Sequence, residues 1–471
     1  MLKNSAVLIL MLFFCGASVR AEKFNHIGTV RFCGLSQFTE RATKLLENVD
    51  PALKAYPLML SIYIAMNPQY NSFDFSETAA VYYYQPQEKI SPKPYWCISV
   101  RRASGRPLDE FELQKQRLYT KYFDNRVLIS DNRALLATFS APPAIPPGKG
   151  HEVEMEFEMA KYAAGMPDDL NLIFHWLEKN IVRKAAGGNG RNAAARLASL
   201  HGLLKQTEKI SLTADVKPEE LDLSLELIPL PGSQFGEFIV RQSINPRLLP
   251  APDKDKELAV SFNLADYPSA WKALADTLAG LKTECNTEEQ QDYCRLLEAV
   301  LAGSNGSGVF YADSHGKPGM PQTFARMLCA DKAAAEKVRR EIAAIKRFKP
   351  LPRDLFLVYS LVSLEDEKSS DNLFCAIRGD SFYMVGCGGD AEAEKITDDA
   401  AAQPMPLLDR KGMMFSQVNI NGKPGAVADL TCSQTMTLKL RIMAPMLRRL
   451  IPAPGPKGKG HRAQMTFELG K

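Results

Sequence analysis

Alternation of apolar and polar residues is the dominant pattern along this chain. Residues 210–216, 221–227, 153–159 and 436–442 each carry an apolar side chain at every second position. Successive side chains of a β-strand point to opposite faces, so the pattern predicts strands with one buried and one wet face. Half-wet strands of this kind are typical of antiparallel sheet.

Apolar residues at helical spacing occur between these strands. Residues 267–282 carry one such stripe, and residues 335–345 carry another directly after Asp331, a good N-cap residue. Because a one-sided apolar helix must bury its stripe, we expect these helices to cover the sheet. The prediction is an α+β fold of two tandem, pseudo-duplicated modules, each a curved antiparallel sheet covered on one face by amphipathic helices.

An internal repeat supports the idea of duplication. Gly148–Met159 and Gly458–Leu469 both begin Gly-Lys-Gly-His and both contain Met-x-Phe-Glu. The order of the predicted elements is also similar in the two halves of the chain. The predicted organisation is a signal peptide at 1–21, an N-terminal module at 22–245, a Pro-rich and charged linker at 246–256, and a C-terminal module at 257–471.

Two predicted strand pairs occupy matching places in the two modules. One pairs residues 127–130 with 134–139, and the other pairs residues 372–378 with 381–387 through an Arg378-Gly379-Asp380 turn.

The first residues are typical of a secretory signal. Lys3 precedes an apolar run over residues 6–14, and Val19-Arg20-Ala21 offers a cleavage site. The run is shorter than the roughly 20 residues that span a bilayer, so no transmembrane anchor is expected after cleavage. Lipoprotein anchoring through Cys15 is disfavoured by the bulky Phe14. We expect an exported, periplasmic or extracellular protein.

Composition excludes one class of partner. The hydrophobic fraction of 45% and charged fraction of 24% are those of a globular protein. The formal charge of +4 falls by two when Lys3 and Arg20 leave with the signal. No dense basic stretch remains, so nucleic acid is not an expected partner.

Eight cysteines follow the signal, at positions 33, 97, 285, 294, 329, 375, 387 and 432. An even number in an exported chain permits disulfides, and Cys285 with Cys294 is the candidate pair. That bridge needs the chain to fold back, because two turns of helix separate the Cα atoms too far. The other cysteines lie mostly in apolar strands, where a buried free thiol is expected.

Signatures of catalysis are scarce. The chain has no HExxH, GxSxG or P-loop motif, and its histidines lack the spacing of metal ligands, so no cofactor or metal is expected. Ser269 and Lys272, with Ser370-Asp371-Asn372, resemble two of the three motifs of penicillin-binding proteins and class A β-lactamases. The third motif, Lys-Thr-Gly or Lys-Ser-Gly, is missing. A serine acyl-enzyme is therefore the least favoured function, and Ser370-Asp371-Asn372 is expected to form a loop.

The candidate recognition turns are the two Gly-Lys-Gly-His segments, with Lys149, His151, Lys459 and His461 as their side chains. The lysine and backbone N–H groups of such a turn are able to hold an anion, but a polar turn before a strand is the favoured interpretation. Four alternate glutamates, at 152, 154, 156 and 158, follow the first turn. They could bind a cation or a basic partner, although a solvated strand face is favoured.

These observations favour a non-enzymatic, exported bacterial cell-envelope protein, a binding or structural module whose partner is an unidentified protein or envelope component. The alternative is a carrier that holds an apolar, lipid-like molecule between sheet and helices, because the chain is rich in adaptable methionine. A continuous apolar cavity would distinguish the carrier from a module with a filled core.

Overall fold

The alternating segments form antiparallel strands, as predicted, and the protein is a mixed α+β protein with extensive antiparallel sheet. The computed structural model describes residues 24–51, 72–86, 94–103, 108, 110–145, 148–165, 202–244, 247–253, 255–264, 288–313, 323–362, 370–420 and 422–450.

The strands, in chain order, are β1 (Phe24–Phe32), β2 (Ala79–Pro86), β3 (Tyr95–Arg101), β4 (Tyr119–Phe123), β5 (Arg126–Ser130), β6 (Val153–Phe157), β7 (Thr207–Val216), β8 (Glu220–Pro229), β9 (Leu248–Pro250), β10 (Leu258–Asn263), β11 (Ser304–Ala312), β12 (Thr323–Cys329), β13 (Lys349–Leu351), β14 (Leu355–Val362), β15 (Ser370–Arg378), β16 (Ser381–Cys387), β17 (Leu407–Lys411), β18 (Met414–Ile420), β19 (Lys423–Cys432) and β20 (Met436–Met443). The helices are α1 (Leu35–Val49), α2 (Glu110–Lys115), α3 (Arg133–Thr138), α4 (Met159–Gly165), α5 (Gln234–Ile244), α6 (Glu288–Gly303), α7 (Lys332–Ala343), α8 (Asp390–Ala401) and α9 (Ala444–Leu450).

Packing divides the described residues into two compact units. Unit 1 contains the described residues up to 165 together with 202–231 and 442–450, and unit 2 contains those of 232–441. Within the predicted linker at 246–256, β9 forms a two-stranded ribbon with β17.

The sheet of unit 1 has the order β4-β5-β3-β2-β1-β6-β7-β8, and every neighbouring pair is antiparallel. The sheet of unit 2 has the order β13-β14-β15-β16-β12-β11-β10-β18-β19, again antiparallel throughout, with β20 beside β19.

The two orders match strand for strand from β4 and β15 onwards. In each of these two sheets, which do not include the short β9, the strand that comes first in the chain, namely β1 or β10, lies between the next strand, β2 or β11, and a later one, β6 or β18. The same main-chain bond closes this pairing: Cys33 N–H donates to Glu152 O at 2.9 Å, and Asn263 N–H donates to Met413 O at 2.9 Å. Aligning the two units on these equivalent bonds makes Arg31 correspond to Ser261 and Glu154 correspond to Phe415.

The Gly-Lys-Gly-His repeat does not follow this correspondence. Its first copy leads into β6, whose counterpart in unit 2 is β18, and β18 is preceded by Asp409–Met413. The second copy, at 458–469, lies outside the described residues. The matched strand order and the sequence repeat are therefore separate observations.

Helices cover both faces of part of each sheet, whereas helices on one face were predicted. Consecutive residues of β15 show this in unit 2: Cys375 packs with Val338 and Ile342 of α7, and Ala376 belongs to a cluster that contains Ala393 of α8. In unit 1, Leu128 packs with Leu135 of α3, while its neighbour Val127 packs with Leu113 of α2. Period-2 alternation does not reveal this arrangement where both faces are apolar.

Residues 134–138 belong to α3 and Phe139 is its C-cap residue, so the predicted strand there is wrong. The Asn132 side chain accepts a hydrogen bond from Leu135 N–H at 2.9 Å and caps the helix. The strand that forms a hairpin with β5 is instead β4, and β3 pairs with the other side of β5. By contrast, the cap predicted at Asp331 is confirmed, because its carboxylate accepts from Ala334 N–H at 2.7 Å.

A glycine faces a phenylalanine ring in both sheets. Gly28 pairs with Phe157, and a Cβ atom added to Gly28 would lie 2.4 Å from that ring. Gly308 pairs with Phe262, with a corresponding distance of 2.7 Å. Each ring therefore covers the bare backbone of its neighbour, a device known to stabilise glycine in strands.

Candidate recognition site at the first Gly-Lys-Gly-His turn

The turn of residues 148–151 leads directly into β6, between β1 and β7. Gly150 has φ of +94°, a conformation that side-chain-bearing residues rarely adopt. The N–H groups of Lys149 and His151 point toward β6, the strand that follows.

A carboxylate of β6 occupies those N–H groups. Glu154 Oε1 accepts from Lys149 N–H at 2.7 Å and from His151 N–H at 3.1 Å. The same oxygen lies 3.1 Å from Arg31 Nη1 on β1, and the two side chains are only 11% and 13% exposed. The anion-binding capacity considered for this turn is therefore used by the chain's own glutamate.

A second carboxylate fixes His151. Its Nδ1 lies 2.6 Å from Asp215 Oδ2 on β7, and the imidazole is 37% exposed. Asp215 Oδ1 also accepts from Glu152 N–H at 3.1 Å. The Asp215 carboxylate thus fixes the orientation of the His151 ring through its Nδ1 atom.

Glu152 extends this network toward α1. Its Oε2 accepts from Val216 N–H at 2.8 Å, and its Oε1 accepts from Arg41 Nη1 at 2.5 Å. Charge-assisted bonds of this kind are stronger than neutral ones and resist distortion. The turn is consequently braced on three sides, by β1, β7 and α1.

Lys149 is the outward-facing charge of the site. Its side chain is 57% exposed, and its Nζ lies 3.4 Å from Glu156 Oε1. Glu156 also accepts from Lys209 Nζ at 2.8 Å, and this bond, followed by the lysine charges, lowers the pKa of the Glu156 carboxyl. Because Lys149 and Lys209 share the single carboxylate of Glu156, the three side chains together carry a net positive charge that a partner can neutralise.

The solvated face that was favoured for the alternate glutamates is wrong for Glu152 and Glu154, whereas the side chains of Glu156 and Glu158 are 42% and 39% exposed. Glu152 and Glu154 are mostly covered and paired with arginines, and Glu158 pairs with Lys161 at 2.5 Å. The arginine partners of Glu152 and Glu154 come from distant parts of the chain, so alternation alone gave no sign of them. These pairs also occupy the carboxylates that a cation would need.

Unit 2 holds a different polar cluster near the start of β10. The buried Lys256 side chain lies 3.5 Å from Asp313 and 5.6 Å from the centre of the Tyr311 ring. Asn419 donates to Lys256 O at 2.6 Å and accepts from Gln417 at 2.8 Å. No sequence motif marked this cluster, because its members lie on three separate strands or their ends.

The remaining predicted sites are only partly described. Lys459, His461, Cys285, Ser269 and Lys272 lie outside the described residues, whereas Cys294 lies in α6. Ser370-Asp371-Asn372 begins strand β15, so the predicted loop is wrong. Asn372 there donates to Gly388 O at 3.0 Å.

Buried free thiols occur where they were expected. Cys97, Cys329, Cys375 and Cys387 are buried in strands and form no disulfide. Burial raises the pKa of Cys97 to about 12 and that of Cys387 to about 11. Thiols with such pKa values are almost entirely protonated at neutral pH and are weak nucleophiles.

The chain matches no protein-family model, no curated protein and no solved structure. Within the part of the chain that the structure describes, no helix is long and apolar enough to cross a membrane. No group of three or more His, Cys, Asp or Glu side chains among those same residues is placed to hold a metal ion.

Proposed function

We propose that this protein is a non-enzymatic, exported cell-envelope module that binds a protein or another envelope component, and that its two units arose by duplication. The observation that carries the proposal is the matched strand order, with equivalent bonds at Cys33 and Asn263. A duplicated frame with different surface side chains is suited to presenting two different recognition surfaces.

The braced turn of unit 1 supports a role in recognition. Lys149 and His151 lie on a segment whose backbone is fixed by Glu154 and Asp215. Preorganised side chains lose little conformational entropy when a partner binds. A partner that presents carboxylate or phosphate groups fits the exposed Lys149 ammonium.

Photo-crosslinking in cells tests this proposal. A crosslinking amino acid at position 149 should capture a defined envelope partner, and the same amino acid at the exposed Lys337 of α7 should not. Equal capture at both positions would contradict recognition at the turn. Fusion of residues 1–21 to a reporter that is active only after export tests the localisation.

Two further measurements address the alternatives. A fluorophosphonate probe should leave the purified chain unlabelled. Labelling that disappears in Ser269→Ala would instead show a serine acyl-enzyme and contradict the proposed non-enzymatic function. Organic extraction of the purified protein should yield no stoichiometric lipid. A stoichiometric lipid would instead favour the apolar carrier.

A further inference from the structure

Strand β4 forms one edge of the unit 1 sheet. It pairs with β5 from Tyr119↔Ser130 to Phe123↔Arg126, and no other strand among the described residues pairs with its second side. An edge strand of this kind leaves a row of main-chain donors and acceptors without a strand partner.

Unit 2 fills the equivalent place with a strand of its own. The counterpart of β4 is β15, because both precede the strand that pairs with β3 or β12. β15 carries β14 on its outer side, with Leu355↔Ala376, Phe356↔Cys375 and Leu357↔Phe374. In unit 1 only residues 116–118 separate α2 from β4, so the chain has no room there for an added strand.

The ladder shows which amides of β4 face outward. Arg102 N–H donates to Asn125 O, so the pair 102↔125 is hydrogen-bonded, and alternation directs residues 127 and 129 toward β3. Residues 126, 128 and 130 then bond to Phe123, Lys121 and Tyr119. The N–H and C=O groups of Thr120 and Tyr122 therefore point away from the sheet.

Side chains at this edge do not guard it. Lysines often protect edge strands by projecting past them, but the Lys121 ammonium donates to the Phe139 carbonyl oxygen. Tyr122 is 38% exposed, and the Arg102 guanidinium carbon lies 5.0 Å from the centre of its ring. An apolar side chain beside Tyr122 would bury surface that is now wet.

We propose that β4 binds an extended segment of a partner protein, which adds to the sheet as an antiparallel strand. The proposal deepens the binding function proposed above and rests on it. Leu355 and Leu357 of β14 lie in one core cluster and Phe356 lies in another on the opposite face, which defines the partner's chemistry. A segment with large apolar residues at consecutive positions would place some beside Thr120 and Tyr122 on one face and the others beside Lys121 on the opposite face.

Binding of a synthetic peptide tests the proposal. The probe is the sequence of residues 355–362 with two lysines added at each end, titrated into the full mature chain by fluorescence anisotropy. Thr120→Pro removes an outward N–H without removing a bond to β5, so the variant should fold and should bind about tenfold more weakly. Thr120→Val keeps the N–H and should bind like the wild type.

Hydrogen exchange locates the bound peptide. Binding should slow exchange at Thr120 and Tyr122 and leave the amide of Lys121 unchanged, because that amide already bonds to β5. Failure of the wild type to bind the peptide, or equal binding by Thr120→Pro, overturns the proposal. Self-association that Thr120→Pro abolishes would also overturn it, because the occupant would then be a second copy.

These results remain separable from the wider function. Crosslinking at position 149 that succeeds while the peptide fails to bind would remove the β4 site and retain the binding module. If crosslinking at position 149 and peptide binding at β4 both fail, the binding function and the β4 site are both rejected.

Discussion

The same place in the two sheets holds an ion pair in unit 1 and an aromatic contact in unit 2. Arg31 and Glu154 face each other across β1 and β6, whereas Ser261 and Phe415 face each other across β10 and β18. The segment that precedes β6 in unit 1 and the one that precedes β18 in unit 2 contact these residues in different ways. In unit 1 its N–H groups bind Glu154, and in unit 2 Arg410 from that segment lies 4.2 Å over the Phe415 ring.

This comparison shows that the register of the sheet does not dictate the chemistry at a given position. Arg410 also pairs with Asp429 at 2.8 Å, on the strand that neighbours Phe415. Both units therefore bring a carboxylate, a cation and the incoming segment together, but from different residues. Backbone pairing supplies the frame, and side chains from distant segments supply the interactions.

Truncation of the aromatic member should have the largest effect. Phe415 is buried, and Phe415→Ala should lower the free energy of unfolding of unit 2 by about 3–5 kcal/mol through lost burial and a cavity. Hydrogen exchange of unit 2 amides, measured over a series of denaturant concentrations, gives this change in the free energy of unfolding. A loss under about 1 kcal/mol would show that the Arg410 side chain collapses into the space.

Neutralisation at the equivalent position of unit 1 should cost somewhat less. Glu154→Gln leaves the mostly buried Arg31 without a compensating charge, so we expect a loss of about 2–3 kcal/mol. The glutamine oxygen is still able to accept from the turn, which separates the charge from the hydrogen bonds. Glu156→Gln, at a more exposed carboxylate, is the matched control and should cost less than about 1 kcal/mol.

Asp131 offers a change in the opposite direction. Burial raises the pKa of its carboxyl from 3.8 to about 6, and its Oδ1 has no hydrogen-bond partner within the described residues. A raised folded-state pKa favours the protonated form, so this group reduces stability as pH rises from about 4 to 6 and is fully unfavourable above that range. Asp131→Asn should therefore stabilise unit 1 by about 1–3 kcal/mol at pH 7.

The pH profile checks this assignment. The gain from Asp131→Asn should fall toward zero below pH 4, where the wild-type carboxyl is protonated in both states. A gain that is independent of pH would point to a cause other than charge.

Removal of the exposed charge should have the smallest effect on stability. Lys149→Ala should change the free energy of unfolding by less than about 0.5 kcal/mol, because exposed ion pairs contribute little. If the proposed recognition is correct, the same variant should weaken capture of the partner. A large loss of stability would mean that Lys149 supports the turn instead of presenting charge.

Local patterns predicted the strands better than the site. Alternation over residues 210–216 and 221–227 marked β7 and β8, although most side chains on both faces of these strands are half-buried and the polar Ser211 is buried. It failed over residues 134–139, where the Asn132 cap decided for helix in a short apolar run. Lys149 and His151 were recognisable from their glycine-rich turn. Their partners Arg31 and Asp215 were not, since only the non-local register of β1, β6 and β7 brings them there.

The phenylalanine opposite Gly28 makes two positions of the chain depend on each other. A methyl group at residue 28 would push the Phe157 ring away, and that ring also packs edge-on against Tyr162 of α4, with centroids 5.6 Å apart. Alanine should be tolerated at position 28 mainly when residue 157 is smaller. Homologous chains, where they occur, are therefore expected to change these two residues together. A designer who places a larger residue at position 28 must place a smaller one at position 157.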